Sequence, residues 1–269
     1  DWDGTWYSQT SSDGDYWYSE IHIPWTVAPM STPSDDKRNM AVWFSRVVYN
    51  ESLRFAFPNA FYTRPTFMED WQPIEVQQVK ASTLDWFPYA SYNHNLLSGD
   101  NTDDTNVGLD FIWRPNSNTQ LTGALNPDFG QVESDDLVVN FSAFETFVSE
   151  KRAFFTENQG LFNSPQYYED VFLYTRRIGA GVDAGLLDID VAAKLTHYGK
   201  SVDMGLFVVK EDASGESAGG EFISSRIQRK ADNLTVGHRL THVTRDLLER
   251  EATVQGIDFR WDSSDKVRL

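Results

Sequence analysis

The run Leu187-Asp188-Ile189-Asp190-Val191-Ala192-Ala193-Lys194-Leu195-Thr196 decides the fold, because apolar residues recur in it at every second position. Successive side chains of a β-strand point to opposite faces of the sheet, so this period predicts a strand with one apolar and one polar face. We expect the apolar face to carry Leu187, Ile189, Val191, Ala193 and Leu195. We expect the other face to carry Asp188, Asp190 and Lys194.

The same period extends through the neighbouring sequence. Residues 105–114 alternate, a turn follows at 115–118, and residues 120–125 alternate again, which predicts a hairpin. Residues 202–209 repeat the pattern after Tyr198-Gly199-Lys200. Further strands are expected at 220–230, 233–243 and 252–262.

Strands of about ten residues, joined alternately by short turns and longer loops, are typical of an outer-membrane β-barrel. Charged residues on the inward face suit a wet lumen; they are Asp110, Arg114, Asp188, Asp190 and Lys194. The alternative is a soluble β-sandwich, with one face packed and the other solvated.

Composition limits the function. The 269 residues carry a net charge of −17 without an offsetting basic patch, which argues against nucleic-acid binding. Cysteine is absent, so neither disulfides nor thiolate metal sites are possible. Aromatic residues make up 14%, which suits either sugar-binding platforms or the aromatic girdles of a barrel. The sequence contains no run of 18 apolar residues, so it predicts no transmembrane helix.

The first block of the chain contains strand-like runs of another kind. Residues 16–25 alternate and end near Pro24, which suits an edge strand, and Met30 to Arg38 is a polar loop. Residues 40–48 are nearly all apolar, which predicts a strand buried on both faces. Four tryptophans of this block could stack on sugar rings, or could belong to the core of a small β-sandwich; they are Trp2, Trp6, Trp17 and Trp25.

The run Asn126-Pro127-Asp128-Phe129-Gly130-Gln131-Val132-Glu133 interrupts the alternation, and the interruption continues to about residue 170. In a barrel, such a segment folds into the lumen or forms a large external loop. Its charges must pair if they are confined, so we expect a plug braced by Glu–Arg pairs, with a ligand site in the lumen as the alternative. The charge network comprises Asp128, Glu133, Glu145, Glu150, Lys151, Arg152, Arg176 and Arg177. Ser142 and Glu145 have the spacing of a capping box for a short helix.

This central run resembles a bacterial family of unknown function, in which a module like the family 9 carbohydrate-binding modules precedes an outer-membrane β-barrel. Three runs carry the resemblance, at Asn126–Glu133, Asn140–Phe155 and Tyr174–Gly179, and the runs at 1–6 and 20–24 look like the closing strands of the module. Val148-Ser149 and Ala153 depart from the family pattern. The resemblance implies location in the Gram-negative outer membrane and contact with the lipid bilayer, but no catalytic residue.

We therefore expect an all-β chain in two parts. Residues 1–75 are the C-terminal part of a carbohydrate-binding-like sandwich module. Residues 76–269 are an incomplete outer-membrane β-barrel domain, with residues 127–170 as its lumen or plug segment. We interpret the chain as part of a longer protein.

The loop from Ser98 to Asn106 is rich in oxygen ligands, and Asp100, Asp103 and Asp104 are the candidate ligands of a calcium ion. A solvated hairpin loop is the alternative. The five histidines show no tight metal motif, and no cofactor is expected.

Three functions remain open from the sequence. The first is the binding or transport of a glycan or similar ligand by a barrel with a carbohydrate-binding-like module. The second is a structural or scaffolding subunit that has other outer-membrane proteins as partners. The third is a glycan-processing hydrolase, for which two carboxylates must face each other across a sugar. With 40 acidic residues, the sequence cannot single out such a pair.

Overall fold

The computed structural model describes residues 6–30, 33, 36–79, 81–97, 100–127, 148–162, 172–179, 188–212, 219–245, 249–264 and 267–268. The chain divides into two compact units, one of Pro33–Lys80 and one of Asp1–Thr32 with Ala81–Leu269. The described residues are mainly antiparallel β-structure, which confirms the predicted class. The module boundary after residue 75 stays a prediction.

A nine-stranded antiparallel sheet forms most of the larger unit, and its strands follow one another in sequence order. They are β7 (Thr83–Leu97), β8 (Asp100–Asn116), β9 (Thr119–Leu125), β10 (Ile189–Tyr198), β11 (Val202–Glu211), β12 (Gly220–Ala231), β13 (Leu234–Arg245), β14 (Arg250–Ser264) and β15 (Val267–Arg268). Within the described residues, no pairing joins β7 to β14 or β15, so the described sheet is open.

The connections differ at the two ends of this sheet. At one end, turns of two or three residues join β8 to β9, β10 to β11 and β12 to β13. We call it the short-turn end. At the other end, β9 and β10 are separated by residues 126–188, β11 and β12 by 212–219, and β13 and β14 by 246–249. The predicted alternation of short and long connections is therefore present from β8 to β14, whereas only two residues separate β7 from β8 at the long-loop end.

The two faces of the sheet have opposite character. One face, here called the covered face, carries Ala192, Lys194, Phe207, Val209 and Phe222, all of them buried. The opposite face, called the apolar face, exposes large hydrophobic side chains on every strand from β7 to β14 except β10, whose residues there are half-buried. Examples are Trp86, Trp113, Leu125, Met204, Leu206, Ile227, Val236, Ile257 and Phe259.

Residues 148–162 and 172–179 pack on the covered face and contain short helices, α1 (Ala153–Thr156) and the 3₁₀ turns Gln159–Leu161 and Thr175–Arg177. The rings of Phe154 and Phe155 lie 6.0 and 5.7 Å from that of Phe207. With Ile178 and apolar residues of β9–β12, these rings form the described core cluster. A sheet needs a second layer to bury one face, and these segments supply it.

A β-bulge makes one orientation prediction wrong. The pairing of β10 with β11 shifts between Ile189 and Val191, so Ile189 turns to the covered face, where it is 2% exposed. Asp188 and Asp190 are exposed near the long-loop end instead of lining the covered face. Beyond the bulge the prediction holds, since Lys194 is buried and Leu195 lies opposite Leu206 on the apolar face. Leu187 lies outside the described residues.

The predicted loop from Ser98 to Asn106 is also wrong over most of its length. Residues 100–106 continue β8 and pair with residues 91–97 of β7. Their polar side chains obscured the strand, because a hairpin that extends beyond its apolar part can be polar on both faces.

The first residues of the larger unit form a separate hairpin of β1 (Tyr7–Asp13) and β2 (Tyr16–His22), which turns at Gly14 with a φ of +56°. The strand expected from Tyr16 is present and ends at His22, before Pro24.

The smaller unit contains two strand pairs, and residues 40–48 do not form the single buried strand that we predicted. They divide at Trp43 between β3 (Lys37–Val42), which pairs with β6 (Gln72–Gln77), and β4 (Phe44–Val48), which pairs with β5 (Leu53–Phe57). The indole of Trp43 packs on Phe67, and Phe67 packs on Trp71, with ring separations of 5.1 and 5.5 Å. This aromatic packing takes Trp43 out of the ladder.

The core cluster predicts the effect of truncating its central ring. Phe207→Ala should lower the free energy of unfolding by about 3–5 kcal/mol, because it opens a cavity among Phe154, Phe155 and Phe162. Its neighbour Leu206 is 42% exposed on the other face, so Leu206→Ala serves as the control and should cost far less. Chemical denaturation of the two variants measures the difference. Equal losses would show that Phe207 is not central to the core.

Candidate functional site

Glu150 and Arg152 form the best-satisfied ion pair on the covered face. Arg152 donates from Nε to Oε1 at 2.9 Å and from Nη2 to Oε2 at 2.8 Å, and Thr175 donates to Oε2 at 2.7 Å. The same guanidinium donates to the carbonyl oxygens of Thr175 and Ile178, each at 2.8 Å, and lies 4.1 Å from the Phe155 ring centroid. The pair therefore ties residues 148–162 to residues 172–179.

The electrostatics of Glu150 follow from this geometry. Its side chain is 4% exposed, and burial by itself acts to raise its pKa. The hydrogen bonds and charge of Arg152, with the Thr175 hydroxyl, outweigh burial and hold the pKa of Glu150 below its usual range. Glu150 is therefore ionised at neutral pH and serves as an acceptor.

Lys194 of β10 attaches α1 to the covered face of the sheet. Its ammonium donates to the carbonyl oxygens of Phe154 and Glu157 and lies 5.1 Å from the Phe154 ring centroid. The last carbonyls of a helix lack partners within the helix, and a cation placed there satisfies them. Arg114 of β8 reaches the Glu157 carboxylate at 3.4 Å and adds a second contact.

Residues 172–179 meet the sheet at three points. The Arg239 guanidinium lies 4.8 Å from the Phe172 ring centroid, and Arg245 donates to the carbonyl oxygen of Arg177 at 2.6 Å. The amide of Gly179 donates to Glu211 at 2.8 Å. Glu211 is 1% exposed, and Arg245 lies 3.9 Å from it.

Two arginines share one carboxylate near these contacts. Arg226 donates to both oxygens of Asp258, at 2.5 and 2.8 Å, and Arg239 donates to Oδ2 at 3.1 Å. Arg226 and Arg239 are 4% and 5% exposed, and they are direct partners across β12 and β13. Our sequence reasoning missed this group. The available signal was the period of 2, which places all three residues on the face that carries Lys194.

The structure describes part of the predicted charge network. The pair of Glu150 and Arg152 is present, whereas Asp128, Glu133 and Glu145 lie outside the described residues. Lys151 is exposed, Arg176 is half-buried, and Arg177 is exposed. The predicted capping box at Ser142 also lies outside the described residues, and the short helix that is described begins at Ala153.

The candidate sugar-binding tryptophans do not form one cluster. Trp6 and Trp17 are 51% and 50% exposed, Trp25 is half-buried, and Trp2 lies outside the described residues. In the β1–β2 register, Trp17 faces Ser12, and Ser12 is six positions from Trp6. At about 3.4 Å per residue, that separation is on the order of 20 Å, too far for one sugar ring to touch both. Their sugar-binding role stays a prediction.

The candidate calcium ligands lie in the extended part of the β7–β8 hairpin. Asp103 accepts a hydrogen bond from Tyr92 at 3.0 Å and contacts His94, while the side chains of Asp100 and Asp104 are outside the described ones. Over the part of the chain that the structure describes, no three His, Asp or Glu side chains are placed to hold a metal ion. None of the helices described there is long and apolar enough to cross a membrane.

Comparison with known sequences gives one match. Residues 81–205, which run from just before β7 into β11, match a family described as a domain of unknown function (DUF5916). Neither the curated proteins nor the solved structures yielded a match to the chain.

The Glu150 pair predicts a specific dependence on pH. Because the folded pKa is lowered, the pair contributes its full stability above the unfolded pKa of about 4.3. That contribution is lost as the pH falls through the lower folded pKa. The difference in unfolding free energy between the wild type and Glu150→Gln should therefore be large at pH 7 and should shrink below about pH 4.

Denaturation of both proteins from pH 7 to pH 3 measures this difference, and other carboxylates cancel because both proteins contain them. Glu251→Gln is the control, since the side chain of Glu251 is 74% exposed and its removal should change little. A difference that stays constant down to pH 3 would contradict the assignment of Glu150.

Proposed function

We propose that residues 81–269 contribute to the wall of an outer-membrane β-barrel, and that the wall binds or passes a polar ligand on its covered face. The observation that carries the proposal is the inverted distribution of side chains. Lys194, Arg226 and Arg239 are buried, whereas Leu206, Phe259 and other large hydrophobic residues are exposed. A barrel in lipid has this arrangement, because its outside meets hydrocarbon and its inside meets water.

The positions of the apolar residues along successive strands support a tilt of the strands relative to the axis of the proposed barrel. Trp113 of β8 pairs with Leu121, and the register then passes through Leu195, Leu206, Ser225 and Leu240 to Gln255 of β14. On the apolar face of β14, the large hydrophobic residues are Ile257, Phe259 and Trp261 instead. The last of them, Trp261, lies six residues beyond Gln255 toward the short-turn end (261 − 255 = 6).

Six residues over six strand-to-strand steps is one residue per strand. With a rise of about 3.4 Å per residue and a strand spacing of about 4.8 Å, this drift corresponds to a tilt of about 35°. Barrel strands tilt by about 35–45°, so an apolar band of constant height would cross this sheet in the observed way.

The limits of the apolar band fit the same proposal. Trp113 and Trp261 mark it toward the short-turn end, where tryptophan suits a membrane–water interface. Toward the long-loop end, Lys210 and Glu221 are exposed on the same face and pair across β11 and β12. Three polar side chains on this face, Ser225, Arg229 and His238, interrupt the band. Along β11 the band runs from Val202 to Val208, about 20 Å, which is of the order of the apolar band of a barrel.

A soluble β-sandwich would need a second sheet over the apolar face, and the drift of one residue per strand has no role in that arrangement.

In the proposed barrel, residues 148–162 and 172–179 lie inside, as expected for a plug. The proposal that the ligand is a glycan is based on residues 1–75, where the exposed indoles of Trp6 and Trp17 suit stacking on a sugar. A scaffolding subunit is the alternative outcome, in which the wall inserts but no ligand binds or passes.

Membrane insertion is tested by placing a charge in the middle of the apolar band. Leu206→Arg should impair assembly into bilayers, because an arginine facing lipid near the midplane costs about 2–4 kcal/mol. Glu221→Arg is the control, since that position is exposed and already charged at the long-loop end of the same face. The fraction that becomes protease-resistant after refolding into liposomes measures assembly. Equal insertion of the two variants would argue against lipid at this face.

Ligand passage is tested separately in the same liposomes. Entry of neutral and acidic sugars into vesicles that contain the full-length protein should exceed entry into empty vesicles. Weakening the attachment of residues 148–162 should increase it, and Lys194→Met does so because it removes two contacts to α1. A protein that inserts but passes and binds no sugar in either form would support the scaffolding alternative.

A further inference from the structure

We propose that Arg226 and Arg239 form an oxyanion site on the covered face, which takes a carboxylate or phosphate group of the ligand. We call these two residues the arginine pair. The inference deepens the proposed function and rests on it for the ligand, because it states the chemistry that this face recognises.

Among the described residues, the charges of the pair are not balanced by their neighbours. Arg226 and Arg239 are direct cross-strand partners, and like charges placed opposite each other are destabilising. Asp258 is the described carboxylate that contacts both, and the charge of two guanidinium groups exceeds that of one carboxylate. Buried charge is costly unless it is paired, so the described group is one anion short.

One hydrogen-bond donor of the arginine pair lacks an acceptor among the described residues. Nη1 of Arg239 is shielded from solvent and has no hydrogen-bond partner in the part of the chain that the structure describes. An unsatisfied donor on a charged group that is 5% exposed is expensive, and such a group usually has a water or ion as its partner. Lys194 and Arg152 differ in this respect, because carbonyl oxygens or Glu150 accept their hydrogen bonds.

Two glycines provide the space for the site. A Cβ at Gly237 would lie 2.4 Å from the Arg226 guanidinium, and a Cβ at Gly256 would lie 3.0 Å from the Phe172 ring. Glycine weakens a strand interior and commonly marks the close approach of another group. Here it allows one guanidinium and the covering ring to lie against the wall.

The geometry selects a flat or tetrahedral oxyanion. Phe172 packs on the face of the Arg239 guanidinium, so the N–H donors in its plane remain the route for a ligand. An arginine fork matches two oxygens of one group, which neither chloride nor a neutral hydroxyl supplies. Since Nη1 is shielded, the ligand enters when residues 172–179 shift.

Calorimetric titration of the full-length protein in detergent tests the site. The probes are glucuronate and inorganic phosphate, with glucose as the neutral control and sodium chloride at matched ionic strength. We expect saturable binding of glucuronate and phosphate, and at least about tenfold weaker binding of glucose, since charge-assisted hydrogen bonds are lost.

Three variants separate recognition from structure. Arg239→Gln should weaken oxyanion binding about tenfold or more. Arg229→Gln is the matched control on the same strand as Arg226, because Arg229 is exposed on the other face, and it should bind as the wild type does. Asp258→Asn should bind the oxyanion more tightly, because it removes the competing carboxylate, and a purely structural triad would show no such gain.

The outcomes are distinct. If Arg239→Gln does not fold, Asp258→Asn decides the question. Weaker or unchanged oxyanion binding in a folded Asp258→Asn protein overturns the inference, and so does equal affinity of the wild type for glucose and glucuronate. Failure of the chain to insert into bilayers would overturn the membrane role alone, because this titration needs no bilayer.

Discussion

The structure depends on how the buried and half-buried cations of one sheet face find acceptors. Lys194, Arg114 and Arg245 point from strands toward a layer that is partly apolar, where an unpaired charge would cost several kcal/mol. Residues 148–162 and 172–179 contribute the carbonyl oxygens of Phe154, Glu157 and Arg177 and the Glu157 carboxylate. These hydrogen bonds add to the packing of Phe154, Phe155 and Ile178 on the sheet. Such contacts are directional, so they determine where the segment lies.

The strands could be predicted from sequence because each side of a strand meets one environment along its length. The hairpin through residues 105–125 and the strands after residue 186 have the predicted period. The bulge at Ile189 could not be predicted, since one extra residue leaves no mark on composition. The polar continuation of β8 was mistaken for a loop for a similar reason, because residues 100–106 lack an apolar face to show the period.

The site was harder to predict than the fold. Glu150 and Arg152 are two residues apart, so their pairing was accessible from the sequence. Arg226, Arg239 and Asp258 span 32 residues and meet only because the registers of β12, β13 and β14 bring them together. A one-residue error in either register would separate them. The glycines at 237 and 256 were visible in the sequence, but their role requires knowledge of which side chain approaches each one.

The two faces constrain the same register. Because side chains alternate with a period of exactly two, slipping one strand by one residue exchanges all of its side chains between faces. A slip of β13 would move Arg239 into the apolar band and Val236 or Leu240 among the buried charges. Each face alone would oppose that slip, and the costs of the two faces add. The register is thus determined most strongly where charge and hydrocarbon lie on opposite sides of one strand. That is also where the arginine pair lies, and a site that needs a guanidinium within about 3 Å of its partner requires such a rigid wall.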